Sequence, residues 1–195
     1  MPRYILSISR LVSNFFSPIV SLLLYFFYHS CNSGNWETSI KEFLPILFII
    51  VIPISGWIYW NVRRGNYTDL DVSDRMQRNS LYIFIAVVMV VYLLFSYFIN
   101  GHLDFRILFL FLLLITMQIS NFFIKSSMHT ALNVYAAALF FAESPMLGLA
   151  WFFIAAIVGI SRIILKRHTI KEVLMGSFLA TIFSFIYIFT TLQNL

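Results

Sequence analysis

Residues 161–172 read S-R-I-I-L-K-R-H-T-I-K-E and bring a hydroxyl, a guanidinium, an imidazole and a carboxylate into one short polar stretch. Arg162 can fork two donors onto a phosphate, and Ser161 can add a third. His168 is either a nucleophile or a general acid/base, and Glu172, one helical turn later, can hold its other ring nitrogen. Together these are the parts of a nucleophilic histidine beside an anion site. The plainer alternative is a basic loop of the positive-inside kind with an incidental histidine.

The elements that position these groups must be membrane helices, because the stretch lies between two apolar runs. Of 195 residues, 61% are hydrophobic and only 11% charged, whereas a soluble domain carries about a quarter charged residues. The mean hydropathy of +0.88 agrees. The composition predicts an all-α polytopic helix bundle, one integral membrane domain over residues 1–195. The net charge of +5 does not point to nucleic acid, since the basic residues fall between apolar runs rather than along one polar surface. Cys31 is the single cysteine, which excludes an internal disulfide.

About seven transmembrane helices are expected. The first, over 4–28, is read as uncleaved because its exit Tyr28-His29-Ser30-Cys31 is too bulky for processing, and Pro18 should kink it. A polar loop over 31–42 precedes the second helix, 43–62, which Pro45 and Pro53 interrupt and a Trp57, Tyr59, Trp60 belt closes. The polar stretch 63–79 carries Ser73 as a helix N-cap, with Arg75 and Arg78 three apart on one helical face. Asp69, Asp71 and Asp74 in that stretch could be weighed as metal ligands, but apart from Glu172 no further acidic residue appears on the same side, so no metal is expected. Helices over 80–99 and 105–124 follow, joined by a turn in which His102 reads as solvated. After the polar knot 125–129 come helices over 128–143, 146–165 and 170–192. The helix 128–143 is short for a bilayer, which puts His129 inside the membrane boundary; there it is either functional or a buried histidine satisfied by a neighbouring helix.

Even numbers of crossings separate residues 75–78, 125–129 and 161–172, so all three polar clusters face one compartment. Their spacing resembles the type 2 phosphatidic acid phosphatase superfamily, whose pattern is K-x6-R-P, then P-S-G-H, then S-R-x5-H-x3-D. Arg78-Asn79 stands for the first, residues 126–129 for the second, and Ser161-Arg162, His168 and Glu172 for the third. Asp71 stands in place of the lysine, Ser126 and Met128 in place of the proline and glycine, and Glu172 in place of the aspartate. The resemblance covers residues 75–192 and implies metal-independent lipid phosphate hydrolysis through a phosphohistidine, without a cofactor. In that scheme His168 attacks phosphorus, Glu172 orients it, and His129 protonates the leaving oxygen. Arg78, Arg162, Ser127 and Ser161 hold the phosphoryl oxygens, and Arg75 or Lys125 supplies the charge of the missing lysine.

All Lys and Arg except Lys41 and Arg106 fall on the site-bearing side, which predicts a cytoplasmic site, a cytoplasmic N-terminus and an outer C-terminus. The resemblance implies a bacterial inner membrane. The expected partners are the bilayer and a lipid phosphate, which could be phosphatidate, phosphatidylglycerol phosphate or a polyprenyl phosphate or diphosphate. The alternatives are a non-catalytic protein of the same fold that binds or translocates phospholipids, and a small transporter with a proton-coupled histidine. Oligomeric state is not legible in the sequence.

Overall fold

The computed structural model of the protein describes residues 2–32 and 34–193. Among these residues every regular element is helical: α1 (Arg3–Phe15), α2 (Pro18–Asn32), α3 (Trp36–Pro45), a π-helical turn (Ile46–Val51), α4 (Ile52–Arg63), α5 (Arg75–Asn100), α6 (Phe105–Asn121), α7 (Met128–Glu143), α8 (Pro145–Ile164) and α9 (Ile170–Gln193). Four stretches are long and apolar enough to cross a membrane: Trp36–Arg63, Arg75–Asn100, Pro145–Ile164 and Ile170–Thr191. The pair α1 and α2, bent by 50°, makes a fifth if taken as one span. Length and composition thus supply four or five crossings where the sequence suggested about seven. The long apolar helices fit an integral membrane protein.

Several boundaries differ from the sequence reading, each for a local reason. The expected loop over 31–42 is mostly helix, since Asn35 caps α3 by accepting from the Thr38 N–H at 2.8 Å. Ser33 in that stretch lies outside the described residues. Pro45 and Pro53 do not interrupt the second segment. The widened π turn between them relieves the carbonyl that the Pro53 ring would strike, and Trp36–Arg63 runs on for 28 residues. Trp57 stacks on Phe84, with ring centroids 4.3 Å apart; Tyr59 and Trp60 are exposed, with Arg63 and Arg64 over their rings. α5 starts at Arg75 rather than at 80. Its N-cap is Asp74, not Ser73: the Asp74 carboxylate accepts from the Met76 and Gln77 N–H groups at 2.8 and 3.0 Å. Ser73 is bonded to Asp69 instead.

The contacts within the chain gather into two compact units. The first takes the residues up to Tyr25 together with those from Ile119 on. Its centre is α7, buried at every position from His129 to Phe140, with α8 and α9 packed against it. Alanines along α7 permit the close approach. Gly159 of α8 assists, since a Cβ there would stand 3.1 Å from Val173 of α9 and 3.4 Å from Thr130 of α7. Phe140 stacks on Trp151 at 4.5 Å and meets Tyr25 edge-on at 5.2 Å. At 16 residues α7 covers about 24 Å, less than a bilayer core of about 30 Å, so it is sheltered by its neighbours rather than presented to lipid.

The bend between α1 and α2 is held by a buried asparagine. Pro18 opens α2 without an N–H to donate, which frees carbonyls at the end of α1. Asn133 of α7 donates through Nδ2 to the Phe16 carbonyl at 2.9 Å and accepts through Oδ1 from the Ser21 hydroxyl at 2.9 Å. Its side chain is fully buried, so these bonds satisfy amide groups that would otherwise be costly.

The second unit, Phe26–Gln118, is built on α5 and the helix formed by α3, the π turn and α4. The loop after α4 is tied down by Tyr67, whose hydroxyl accepts from Trp57 Nε1 at 3.0 Å and lies 2.8 Å from Ser80 Oγ. At the other end of α5, Gly101 takes the left-handed conformation that stops the helix. Nearby, Arg106 makes a two-pronged pair with Asp104, at 2.9 and 3.0 Å.

Candidate functional site

The spacing between Arg162 and His168 is realised by the way α8 ends. Lys166 adopts a left-handed conformation with φ 56°. Its N–H reaches the Ile163 carbonyl at 3.0 Å, and the next N–H, that of Arg167, reaches the Arg162 carbonyl at 3.0 Å. This is a Schellman motif with a lysine where glycine is usual. The His168 N–H also bonds the Arg162 carbonyl, at 3.3 Å, so the tight reversal brings the histidine back onto the arginine's backbone.

Glu172 then performs two tasks. Thr169 and Glu172 form a capping box at the start of α9: the Thr169 N–H donates to Glu172 Oε2 at 3.1 Å, and the Glu172 N–H donates to Thr169 Oγ1 at 3.3 Å. The same Oε2 lies 2.8 Å from His168 Nδ1. A carboxylate can only accept, so Nδ1 carries the hydrogen and neutral His168 keeps its lone pair on Nε2. The imidazole is fully buried, and its tautomer is fixed by a carboxylate that the helix start itself holds in place.

The second polar knot meets the third directly. The Ser127 N–H donates to the Glu172 carbonyl at 3.0 Å, joining the start of α7 to the start of α9. Gly176, one turn further along α9, makes this contact possible: a Cβ there would stand 2.7 Å from the Ser127 carbonyl oxygen. Ser127 is the N-cap of α7, its hydroxyl accepting from Thr130 Oγ1 at 3.0 Å and from the Thr130 N–H at 3.4 Å. His129, two residues on, is buried, and its carbonyl accepts from Asn133 at 2.8 Å. Ser126 is buried and Lys125 half-buried beside them. Met128 is half-buried and helical, a conformation that requires no glycine.

Arg162 is 1% exposed, and its Nη1 donates to Ser13 Oγ of α1 at 2.9 Å. Ser161 spends its hydroxyl proton on the Ile157 carbonyl of its own helix, at 2.9 Å. The first unit therefore gathers Lys125, Ser127, His129, Ser161, Arg162, His168 and Glu172.

Arg75 and Arg78 belong to the second unit. Arg75 opens α5 and is exposed. Arg78 is 2% exposed and donates through Nε to the Val72 carbonyl at 2.9 Å. Val72 is itself left-handed, at φ 46°, and buried. Asp69 and Asp74 act in that loop as turn and cap acceptors. Among the described residues no group of three or more His, Cys, Asp or Glu could hold a metal ion. His102 is exposed, as its turn position predicts.

Four residues of the first unit escaped the sequence reading. Thr169 was visible as the first letter of T-x-x-E; Ser13, Asn133 and Gly176 matter only through partners distant in the chain. Fold and site together define an all-helical protein of membrane type with a buried histidine and arginine and a half-buried carboxylate at one end of a helix hairpin. Compared with family models, with curated proteins and with solved structures, the chain finds no significant match.

Proposed function

We propose that this protein is a membrane-embedded phosphatase that hydrolyses a lipid phosphate or polyprenyl (di)phosphate through a phosphohistidine, as the resemblance to the type 2 phosphatidic acid phosphatase superfamily implies. The observation that carries this reading is the junction of the second and third motifs: Ser127 is bonded to Glu172, and Glu172 holds His168 Nδ1. His168 Nε2 attacks phosphorus and forms an N–P bond while the bond from phosphorus to the lipid oxygen breaks. His129 gives that oxygen a proton, so the lipid alcohol leaves neutral. Water then cleaves the N–P bond, His129 takes its proton, and inorganic phosphate is released. Arg162 and Ser127, with Ser161 and Lys125 of the same unit, neutralise the phosphoryl oxygens, which is most of what phosphoryl transfer asks of a protein.

In this reading the seven apolar segments cross or enter the membrane and the site faces the cytoplasm of a bacterial inner membrane. A reporter fused after Leu195, which lies outside the described residues, then scores as external; a cytoplasmic signal reverses the orientation. The chemistry is tested by phosphate release from phosphatidate by purified protein in EDTA. Retained turnover is expected. Activity lost in EDTA and restored by Mg²⁺ overturns the histidine route.

A second reading, a non-catalytic protein of the same fold that binds or translocates phospholipids, is favoured by Met128, which stands where the superfamily pattern has glycine. Lipid phosphate binding without release of phosphate is its signature.

A further inference from the structure

We infer that α1 is not the N-terminal half of a membrane span but an amphipathic helix lying in the interfacial plane, seated on an anionic lipid surface. Three edges of this helix have three different environments. Ser9 and Ser13 are buried against the protein. Tyr4, Ile8, Leu11 and Phe15, spaced at helical turns, are 57–69% exposed. Arg3, Ser7, Arg10 and Asn14 form a second exposed edge at the same spacing, and the helix contains no acidic residue.

A helix inside the hydrocarbon cannot present Arg10 and Asn14 outward without heavy cost, whereas one lying at the headgroup boundary puts its apolar edge toward acyl chains and its basic edge toward phosphates. The depth of α1 is fixed at one end. Ser13 is bonded to Arg162, and Arg162 lies in the last turn of α8, a stretch long enough to cross the membrane. Ser13 is therefore at a membrane boundary. The 50° bend, held by Asn133, turns α1 away from the direction of α2 at that level. From there the exposed apolar edge keeps the helix out of water and the exposed basic edge keeps it out of the hydrocarbon. Because Ser13 holds Arg162, the same placement sets that arginine at the depth of lipid phosphates. That last consequence rests on the phosphatase reading; the placement of α1 does not.

The test is a depth profile of the full chain in vesicles of phosphatidylethanolamine with phosphatidylglycerol. Cys31, the exposed single cysteine, is replaced by serine, and nitroxides are attached to cysteines placed one at a time at the eight exposed positions of α1. Accessibility to oxygen against a water-soluble nickel chelate reports depth. An in-plane helix gives Tyr4, Ile8, Leu11 and Phe15 one common shallow depth, while the positions of Arg3, Ser7, Arg10 and Asn14 see the chelate. A spanning helix gives a continuous ramp of about 16 Å from position 4 to position 15, and that result overturns the proposal. Arg3→Gln with Arg10→Gln should also lower the fraction of spin-labelled phosphatidylglycerol immobilised by the protein. An unchanged fraction removes the anionic surface as the occupant.

Discussion

Arg162 and Arg78 are both almost wholly buried, yet they are held by different kinds of structure. Arg162 donates to a hydroxyl 149 residues away in sequence, and its backbone is locked by a helix C-terminus that returns His168 to it. Arg78 donates to a carbonyl only six residues back, in a loop that folds on itself through Asp69, Ser73 and Val72. The first unit is a set of long-range polar bonds around a buried helix. The loop around Arg78 in the second is a local device at the start of one. Geometry that depends on distant partners can be held rigid, as a reacting pair requires. Geometry made within one loop can hold a charge without fixing it against a second group.

The sharpest way to break this contrast is to remove the histidines of the first unit. If His168 is the nucleophile, His168→Ala should lower turnover on the order of 10⁴-fold or more while lipid phosphate binding survives through Arg162. His129→Ala should cost about 10²–10⁴-fold on an alkyl phosphate and far less on a nitrophenyl phosphate, whose leaving group needs no proton. Trapping of phosphohistidine should succeed in the wild type and fail in His168→Ala. If both histidines only satisfy the core, each alanine should instead lower the unfolding temperature and reduce activity in proportion to the folded fraction. Full turnover in a correctly folded His168→Ala protein sinks the proposal.

A smaller effect separates the packing of the two units. Gly176→Ala would drive a methyl group to 2.7 Å from the Ser127 carbonyl oxygen, so α9 must shift from α7. Destabilisation of about 1–3 kcal/mol is expected, with a drop in turnover because the Ser127 to Glu172 bond lies in the strained contact. Gly56→Ala is the control in the second unit. That glycine sits in α4 with nothing within 4 Å of an added Cβ, so the change should stabilise by about 0.5–1 kcal/mol. Thermal unfolding of the two variants in one detergent decides the matter, and equal shifts would mean that α7 and α9 are not held as tightly as their geometry indicates.

What the sequence could and could not reveal follows the same division. The all-helical class and the polar ends of α7 and α9 were legible because they are local: apolar runs, and H-x3-E one turn apart. The link between His168 and Glu172 is that spacing made real. Boundaries went wrong where two local signals competed. Ser73 and Asp74 are both good caps, and the aspartate's carboxylate won while the serine bonded back to Asp69. Pro45 and Pro53 signal interruption, but the helix runs on and a π turn absorbs the second. The Asn133 clamp on the α1–α2 bend and the Ser13 bond to Arg162 were illegible, since each joins residues more than a hundred positions apart.

The finest test uses the two left-handed residues that are not glycine, Val72 at φ 46° and Lys166 at φ 56°. Each lies beside one of the buried arginines, one in each unit, and each carries a strain of about 1–2 kcal/mol for an L side chain. Glycine would relieve that strain at both positions, at a cost of about 0.5–1 kcal/mol in chain entropy. The side chains differ in what else they do. Lys166 is exposed at the end of α8, so Lys166→Gly loses little packing and should stabilise by roughly 0.5–1 kcal/mol. Val72 is 1% exposed, so Val72→Gly also forfeits about 2 kcal/mol of buried side chain and should destabilise by about 1 kcal/mol net. Opposite shifts in unfolding temperature are therefore expected from the same substitution at nearly the same φ. Should Lys166→Gly lower the unfolding temperature as Val72→Gly does, the lysine side chain holds a contact of its own, and the C-terminus of α8 is fixed by more than its backbone bonds.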